Sequence, residues 1–147
     1  MLRNNEDNSA VFRILDANLN RLREALRVIE DYFRFSTSLE TIAVQLKQLR
    51  HSLEEIEQEI GPGRLLAHRD TGADPFANVN RPEEMGRSSP MQIVSGNFKR
   101  AQEACRVIEE YTKITEAPHL SGKAKIMRFS LYAIEKQYSM ETMTDKT

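Results

Sequence analysis

The sequence, 147 residues long, is poor in the residues that several classes of protein depend on. It has no tryptophan and one cysteine, Cys105, which excludes an internal disulfide framework and a multi-cysteine zinc site. Its 21 basic and 22 acidic residues give a net charge of −1, so the charge predicts no affinity for nucleic acid or acidic membranes. No apolar stretch approaches the roughly 18 residues of a membrane span, and the polar start lacks a secretory signal. We therefore expect a single domain in a cytoplasmic setting.

The sequence also lacks the signatures of the common nucleotide-binding folds. Neither G-x-x-x-x-G-K-[ST] nor G-x-G-x-x-G occurs, and the H-R-D motif of protein kinases is absent. The three histidines, His51, His68 and His119, lie far apart in the chain and show no metal-ligand spacing. These absences exclude a P-loop, a Rossmann site and a protein-kinase site.

What the sequence does contain is an internal duplication. NLNRLREALRVIEDY at 18–32 and NFKRAQEACRVIEEY at 97–111 are identical at nine of fifteen positions, with an offset of 79. LKQLRHSLEEIE at 46–57 matches AKIMRFSLYAIE at 124–135 with an offset of 78. In repeat architectures a single unit cannot bury its apolar face alone. The duplication therefore predicts two similar helical hairpins packed on each other.

Apolar periodicity predicts an all-α fold, because no segment shows the sustained alternation of a strand. We expect a pseudo-two-fold, four-helix bundle-like domain with a hairpin at about 8–60, a loop at 61–88 and a second hairpin at about 89–140. The loop holds four of the six glycines and three of the five prolines. A connection of this length is usually functional or disordered, and the LLAHRDTGADPF segment favours a functional loop with an apolar anchor.

Local signals give the helix bounds. The first helix is expected to end near Phe35, and Thr37 with Glu40 forms a capping box for the second helix. Ser89 stands directly before a proline, which predicts the N-cap of a third helix that runs to about Ile114.

Three polar residues in each repeat lie on or beside the apolar face of their helix. On the wheel of the first helix, Asn18 is at the centre of the apolar arc, Arg21 is inside its edge and Glu24 is one step outside. The third helix repeats them as Asn97, Arg100 and Glu103. Polar groups buried without partners are costly, so two interpretations stay open. Either the residues form a polar network across the duplicated interface, or they face a pocket in which Asn and Arg bind a phosphate-bearing ligand.

Other charged residues are expected to have structural roles. Glu30 falls outside the apolar arc and should form solvated ion pairs with its neighbours. Arg50 and its repeat Arg128 are suited equally to a salt bridge with Glu24 or Glu103 and to contact with a ligand.

The loop carries a second candidate cluster. Asp70 and Asp74 stand four residues apart and are flanked by Arg64 and Arg69. Such a pair of carboxylates can hold Mg²⁺ against substrate phosphates, because that ion takes one or two carboxylates and keeps several waters. The same four residues can also pair with one another on a surface loop.

Several segments resemble a helical domain that many bacteria carry fused ahead of thiamine-phosphate synthase and that others make alone. They are RILDANLNRLREALRVIEDYFRF (13–35), KQLRHSL (47–53), LLAHRDTGADP (65–75), RSS (87–89) and NFKRAQEACRVIEEYTK (97–113). The resemblance spans about residues 11–138. It implies a hydroxymethylpyrimidine phosphate kinase, in which ATP phosphorylates the monophosphate of 4-amino-5-hydroxymethyl-2-methylpyrimidine to the diphosphate that is used to build thiamine phosphate.

On this hypothesis, the site lies between the first and third helices and is roofed by the 61–88 loop. Arg69, Asp70 and Asp74 are the expected catalytic residues, with Mg²⁺ held by the two carboxylates. The residues expected to bind the substrate or the phosphates of ATP are Asn18, Arg21, Glu24, Arg64, Asn97, Arg100 and Glu103.

One departure from the family keeps an alternative open. The family's loop tends to read R-D-T-x-G-D-x-G-T, whereas this chain has Ala73, Phe76 and Ala77 in place of the two glycines and the threonine. Close approach of the loop backbone to phosphate is harder without those glycines. The rival to the enzyme is a non-catalytic module that binds or regulates a separate thiamine-phosphate synthase, and a purely structural bundle is third. A homodimer is compatible with each of these.

Overall fold

The structure is a computed structural model that describes residues 5–36, 39–78 and 86–144. Regular structure within these ranges is helical throughout, which confirms the all-α class. The helices are α1 (Asn5–Phe35), α2 (Glu40–Ile60), α3 (Pro62–His68), α4 (Pro90–Thr112) and α5 (Leu120–Thr144), with a 3-10 turn at Thr71–Ala73. None of the helices described here is both long and apolar enough to cross a bilayer.

The two repeats pack on each other through α1 and α4, which form the most extensive helix interface. In each hairpin the second helix covers the first, α2 on α1 and α5 on α4. The interface is filled by repeat-related apolar residues that are fully or almost fully buried, among them the pairs Leu19/Phe98, Leu26/Cys105 and Ile29/Ile108. Burying a large apolar side chain contributes roughly 1.5–3 kcal/mol, so the apolar seam between the copies is a main source of stability.

The predicted helix bounds largely agree with the structure. α1 ends at Phe35 as expected, and Ser89 caps α4, because its side chain accepts a hydrogen bond from the backbone N–H of Gln92 at 3.3 Å. α4 ends at Thr112, two residues before the predicted end. The capping box at Thr37 lies outside the described residues.

The segment after α2 differs from the predicted loop, because residues 62–68 form the helix α3. Gly61 ends α2 with a φ of 107°, a conformation that only glycine adopts readily, and Pro62 starts α3 at its first turn. Buried Leu65 anchors α3, and the His68 ring stacks on Phe12 with the ring centroids 5.4 Å apart. α3 thereby directs the chain back along the N-terminal half of α1.

One ion pair of the same design joins the two helices of each hairpin, with a buried carboxylate and a half-buried guanidinium. Arg50 donates from Nε and Nη2 to the two carboxylate oxygens of Glu30 at 2.5 and 3.0 Å. Arg128 donates in the same way to Glu109 at 2.9 and 3.3 Å. The expected pair of Glu30 with a neighbour on α1 is present, with Arg27 Nη1 3.9 Å from Glu30 Oε2, but the expectation that Glu30 is solvated is wrong. A single-helix wheel does not show that α2 brings an arginine to this side of α1.

The same geometry corrects the predicted partners of the two arginines. Arg50 and Arg128 pair with Glu30 and Glu109, and not with Glu24 or Glu103. The side-chain hydrogen bond to Glu30 raises the pKa of Arg50.

The pKa of Glu109 reflects two opposing effects. Burial raises the pKa of Glu109. The hydrogen bond and charge of Arg128, together with the charges of Arg106 and Lys113, lower it by more than burial raises it, so the pKa lies below the ordinary value of 4.5. Because the folded-state pKa is the lower one, this stabilisation is present above the unfolded-state pKa. It is lost as pH falls through the folded-state value.

We expect Arg50→Gln to lower the free energy of unfolding by roughly 3 kcal/mol, because it leaves the Glu30 carboxylate buried without its bidentate partner. Urea denaturation at neutral pH measures the change. The double variant Glu30→Leu/Arg50→Leu is the matched control and should recover most of the loss, since it removes both charges together. A single variant as stable as the wild type would show that the pair does not contribute.

Cys105 should be chemically inert in the folded protein. It replaces Leu26 of the first repeat and is fully buried, and this burial raises the pKa of its thiol to about 12 against a smaller opposing effect of Arg128. At about pH 8, Ellman's reagent should therefore modify Cys105 only as fast as the protein unfolds. Modification within seconds under native conditions would contradict this placement.

Candidate functional site

The duplicated interface contains a cleft of about 460 Å³ between α1 and α4. Five pairs of residues line it, each pair identical in type and related by the 79-residue offset. The pairs are Asn18/Asn97, Arg21/Arg100, Glu24/Glu103, Ala25/Ala104 and Val28/Val107. The structure thus brings all six polar residues of the predicted helix faces into one cleft, at the place expected from the sequence.

The two asparagines are held in the same way by their own helices. Nδ2 of Asn18 donates to the carbonyl of Ile14 at 2.9 Å, and Nδ2 of Asn97 donates to the carbonyl of Ile93 at 2.8 Å. The amide nitrogens are therefore engaged, and the amide oxygens are the atoms left for other partners. Oδ1 of Asn18 accepts a long hydrogen bond of 3.4 Å from Arg21 Nη1. Asn97 Oδ1 has no donor within the described part of the chain.

The charged residues of the cleft are exposed and make no ion pair inside the described ranges. Arg21 and Arg100 have no carboxylate within 4 Å there, and Glu24 and Glu103 have no basic group within that distance. No hydrogen bond between described residues joins one copy's trio to the other's. The interpretation as an internal polar network is therefore unsupported. Two positive and two negative groups suit a ligand that carries both an anionic group and hydrogen-bond donors.

A second cleft of about 410 Å³ adjoins the first along the N-terminal half of α1. Its other wall is the segment 69–75, which includes Arg69, Asp70 and Asp74. Asn18 and Arg21 line both clefts and connect them. The expected roof over the α1–α4 cleft is therefore wrong for the described part of the loop, which forms the neighbouring cleft instead.

The position of this segment is set by Arg69 and Asp16. Arg69 donates from Nε and Nη2 to the two oxygens of Asp16, at 2.7 and 2.8 Å, and Asp16 is buried on α1. The hydrogen bond and the charge of Asp16 raise the pKa of Arg69. Arg69, expected to be catalytic, is thus committed to holding the segment on α1. Asp16 was not among the predicted site residues. The signal that marks it is the difference between the repeats, since the second copy has Ser95 at the equivalent position.

Asp70 and Asp74 are oriented by the loop's own backbone. Oδ1 of Asp70 accepts from the N–H of Ala73 at 3.1 Å, and Oδ1 of Asp74 accepts from the N–H of Phe76 at 2.9 Å. In the described part of the structure, Oδ2 of each carboxylate has no partner. This chain departs from the family's loop at Ala73 and Phe76. The backbone N–H groups of both residues are already hydrogen-bonded to these carboxylates.

Two carboxylate oxygens beside one cleft are of the donor type that Mg²⁺ prefers, so Asp70 and Asp74 have the chemistry of Mg²⁺ ligands. No group of three or more histidine, cysteine, aspartate or glutamate residues that could hold a metal occurs among the residues described. A bound Mg²⁺ would therefore complete its shell with water and ligand phosphate, as this ion commonly does.

Arg64 is not brought to this site, in contrast to the prediction. It lies on α3, with its guanidinium over the Phe12 ring at 5.2 Å and Nη1 3.9 Å from Glu116 Oε2. It lines a separate, smaller cleft with His68. The reason is the helical course of residues 62–68, which was expected to be a loop.

Arg87 is a further basic residue beside α4, and the helix wheel did not identify it. Its guanidinium packs directly against Gly96 of α4, where a Cβ would lie 2.7 Å from Nη2. Its Nη1 donates to the carbonyl of Gly86 at 3.0 Å, and no carboxylate pairs with it among the described residues. Gly96 immediately precedes Asn97, and the first repeat has Ala17 there. A glycine inside a strongly periodic helix is a signal of close approach.

Comparison with known proteins agrees with the resemblance found in the sequence. A family model described as "ThiD2 family" matches residues 13–137. A thiamine-phosphate synthase of Parasynechococcus marenigrum (strain WH8102) is 42% identical over 125 residues, which are 85% of this chain and 34% of that protein. One of Gloeobacter violaceus is 43% identical over 129 residues, 88% of this chain and 36% of that protein. The chain thus spans about a third of the length of the curated relatives it matches. No solved structure matches it.

Gly96→Ala separates stability from ligand binding. Alanine should keep or raise the melting temperature, because it favours the helix by about 0.5–1 kcal/mol and only the mobile end of Arg87 must move. We expect affinity for a phosphate-bearing ligand, measured by calorimetry with inorganic pyrophosphate as the probe, to fall several-fold because the Arg87 guanidinium is displaced. The control Gly122→Ala, a helical site with nothing near its Cβ, should leave affinity unchanged. An unaltered affinity in Gly96→Ala would remove Arg87 from the binding site.

Proposed function

This chain belongs to the ThiD2 family, and from that premise we propose that it acts in thiamine biosynthesis as an ATP-dependent kinase of hydroxymethylpyrimidine monophosphate. The observation that carries the proposal is the continuity of the two clefts. A trio of amide, guanidinium and carboxylate, present twice, lines a cleft that connects through Arg21 with the cleft of Asp70 and Asp74.

The guanidiniums of the cleft are suited to phosphate. Arg21 and Arg100 carry no competing carboxylate in the described part of the chain, so ligand phosphate would not have to displace an internal partner. Each planar guanidinium can donate two parallel hydrogen bonds to phosphate oxygens, which an ammonium group cannot do. Arg21 borders both clefts and is therefore placed to contact a phosphate that passes between them.

The acceptor atoms of the cleft are suited to an aminopyrimidine. An exocyclic amine donates hydrogen bonds, and the amide oxygen of Asn18 or of Asn97 can accept one while its own nitrogen stays bound to the helix. Glu24 and Glu103 add carboxylate acceptors on the same walls. Ala25, Val28 and their repeat partners form the apolar part of the cleft lining, against which the pyrimidine ring can pack.

Phosphoryl transfer requires positioning and charge neutralisation rather than a covalent nucleophile. An oxygen of the substrate phosphate attacks the γ-phosphorus of ATP, a new P–O bond forms, and the bond to the β-phosphate oxygen breaks so that ADP leaves with the bonding electrons. When bound, Mg²⁺ supplies neutralisation of charge on the phosphates. Asp70 and Asp74 would hold it, Arg21 and Arg100 would fix the reacting phosphates, and Arg69 with Asp16 would keep the loop in place.

The relatives suggest where the product goes. They are named thiamine-phosphate synthase, and about two thirds of their length lies outside the region that this chain matches. A diphosphate made by this chain would therefore be a substrate for a synthase that is separate or fused. The same observation favours the second candidate, a non-catalytic module that binds or regulates such a synthase.

The deciding measurement is ADP formation with ATP, Mg²⁺ and the purified pyrimidine monophosphate, with the diphosphate product identified by ³¹P NMR. We expect turnover with the monophosphate and none with the unphosphorylated alcohol, because the cleft arginines need a phosphate to bind. Absence of turnover with the monophosphate would refute the kinase. In that case, binding of the pyrimidine monophosphate together with capture of the synthase would favour the regulatory module.

Arg100→Ala tests the site itself. Loss of charge-assisted hydrogen bonds to phosphate should lower kcat/KM by about 10- to 100-fold, the effect of roughly 1.5–3 kcal/mol. Because Arg100 is exposed and forms no ion pair among the described residues, the melting temperature should hardly change. Arg34→Ala, at the exposed end of α1, is the control for loss of one surface arginine. Equal efficiencies for wild type and Arg100→Ala would exclude Arg100 from the reaction.

A further inference from the structure

The cleft between α1 and α4 consists of two equivalent halves. Asn18, Arg21 and Glu24 follow one another at intervals of three on α1, and the second repeat places the same residue types at the same spacing on α4. The amide nitrogens are held alike, each bound to the carbonyl four residues before it, at 2.9 and 2.8 Å. The amide oxygens differ, because only that of Asn18 accepts a long hydrogen bond from the arginine of its own trio in the described residues. Each half thus offers the same set: an amide oxygen, a guanidinium and a carboxylate.

The two substrates of the proposed reaction share the groups that such a set would recognise. The substrate ring is a 4-aminopyrimidine, and the six-membered ring of adenine has the same exocyclic amine beside a ring nitrogen. Both molecules also carry phosphate. A protein that presents one recognition set twice can therefore bind the two molecules with the same chemistry, with acceptors at the amine and an arginine at the phosphate.

The surroundings make the two halves different. The α1 half adjoins the cleft of Asp70 and Asp74, which shares Asn18 and Arg21 but neither Asn97 nor Arg100. The α4 half has instead Arg87 packed on Gly96, directly before Asn97. Carboxylates suit the side that receives a polyphosphate with its divalent ion, because ATP is bound with Mg²⁺. A single additional guanidinium suits a monophosphate.

We propose that the repeats are two half-sites, in which Asn18, Arg21 and Glu24 take ATP while Asn97, Arg100 and Glu103 take the pyrimidine monophosphate. This inference rests on the proposed kinase and assigns its two substrates. Since Arg21 and Arg100 line the same cleft, phosphates bound to these two residues would share one cavity, as direct transfer requires.

The duplication offers a matched pair of variants, Glu24→Gln and Glu103→Gln. Glutamine keeps the shape of glutamate but replaces one acceptor oxygen by an NH₂ group. An NH₂ group cannot accept a hydrogen bond from the amine of either ring. Both glutamates are exposed and unpaired within the described residues, so both variants should fold. Calorimetry with a non-hydrolysable ATP analogue plus Mg²⁺, and separately with the pyrimidine monophosphate, gives the two dissociation constants of each variant.

Glu24→Gln should weaken the nucleotide by about tenfold and leave the pyrimidine within about twofold, and Glu103→Gln should do the reverse. In the wild type the two ligands should bind together, each at one equivalent. Competition between them, an equal effect of each variant on both ligands, or the opposite assignment would overturn the half-sites. Turnover of the wild type is scored separately, so turnover without the split refutes only the half-sites, and the split without turnover refutes only the kinase.

Discussion

The contact of one repeat with the other is the constraint on which the structure depends. α1 and α4 bury repeat-related residues such as Leu19 and Phe98 against each other, and neither hairpin has another surface of this kind in which to bury them. Because the copies pack through the same face, residues at equivalent positions of α1 and α4 line the same seam. Polar residues at the edge of the seam therefore arise twice and line a common cleft, without any separate element to form it.

The buried ion pairs decide which charges remain available in that cleft. Arg50 and Arg128 form bidentate pairs with Glu30 and Glu109, six residues further along each helix than Glu24 and Glu103. Each carboxylate that is removed from solvent thus has a partner, which is the condition for keeping a charge in a core. The charges of the cleft stay exposed to solvent and outside these pairs. The protein thus has one set of charges that stabilises the fold and another set, in the cleft, that is available to bind a ligand.

Much of the fold and part of the candidate site follow from the sequence, for physical reasons that particular residues illustrate. Helical periodicity and the repeat place Asn18 and Asn97 on the seam, because both depend on local spacing that the chain itself displays. The burial of Glu30 and the pairing of Arg69 with Asp16 depend on segments 20 and 53 residues away, which no single wheel includes. α3 was not predicted, because glycine and proline at 61 and 62 are typical of a loop. Burial of Leu65 against the core stabilises the seven-residue helix.

Symmetry alone would make the cleft bind one kind of ligand twice, and a reaction between two different molecules needs a difference between the halves. The chain supplies that difference outside the repeats. α3 sends the segment 69–75 onto α1, where Asp16 holds it through Arg69, while the equivalent place on α4 has Ser95, followed by Gly96 with Arg87 packed against it. The insertion between the hairpins thereby brings two carboxylates to one half, together with an arginine that Asp16 neutralises, and a guanidinium without a carboxylate partner in the described residues to the side of the other. A duplicated scaffold and one asymmetric connection are together sufficient to give two related ligands different surroundings.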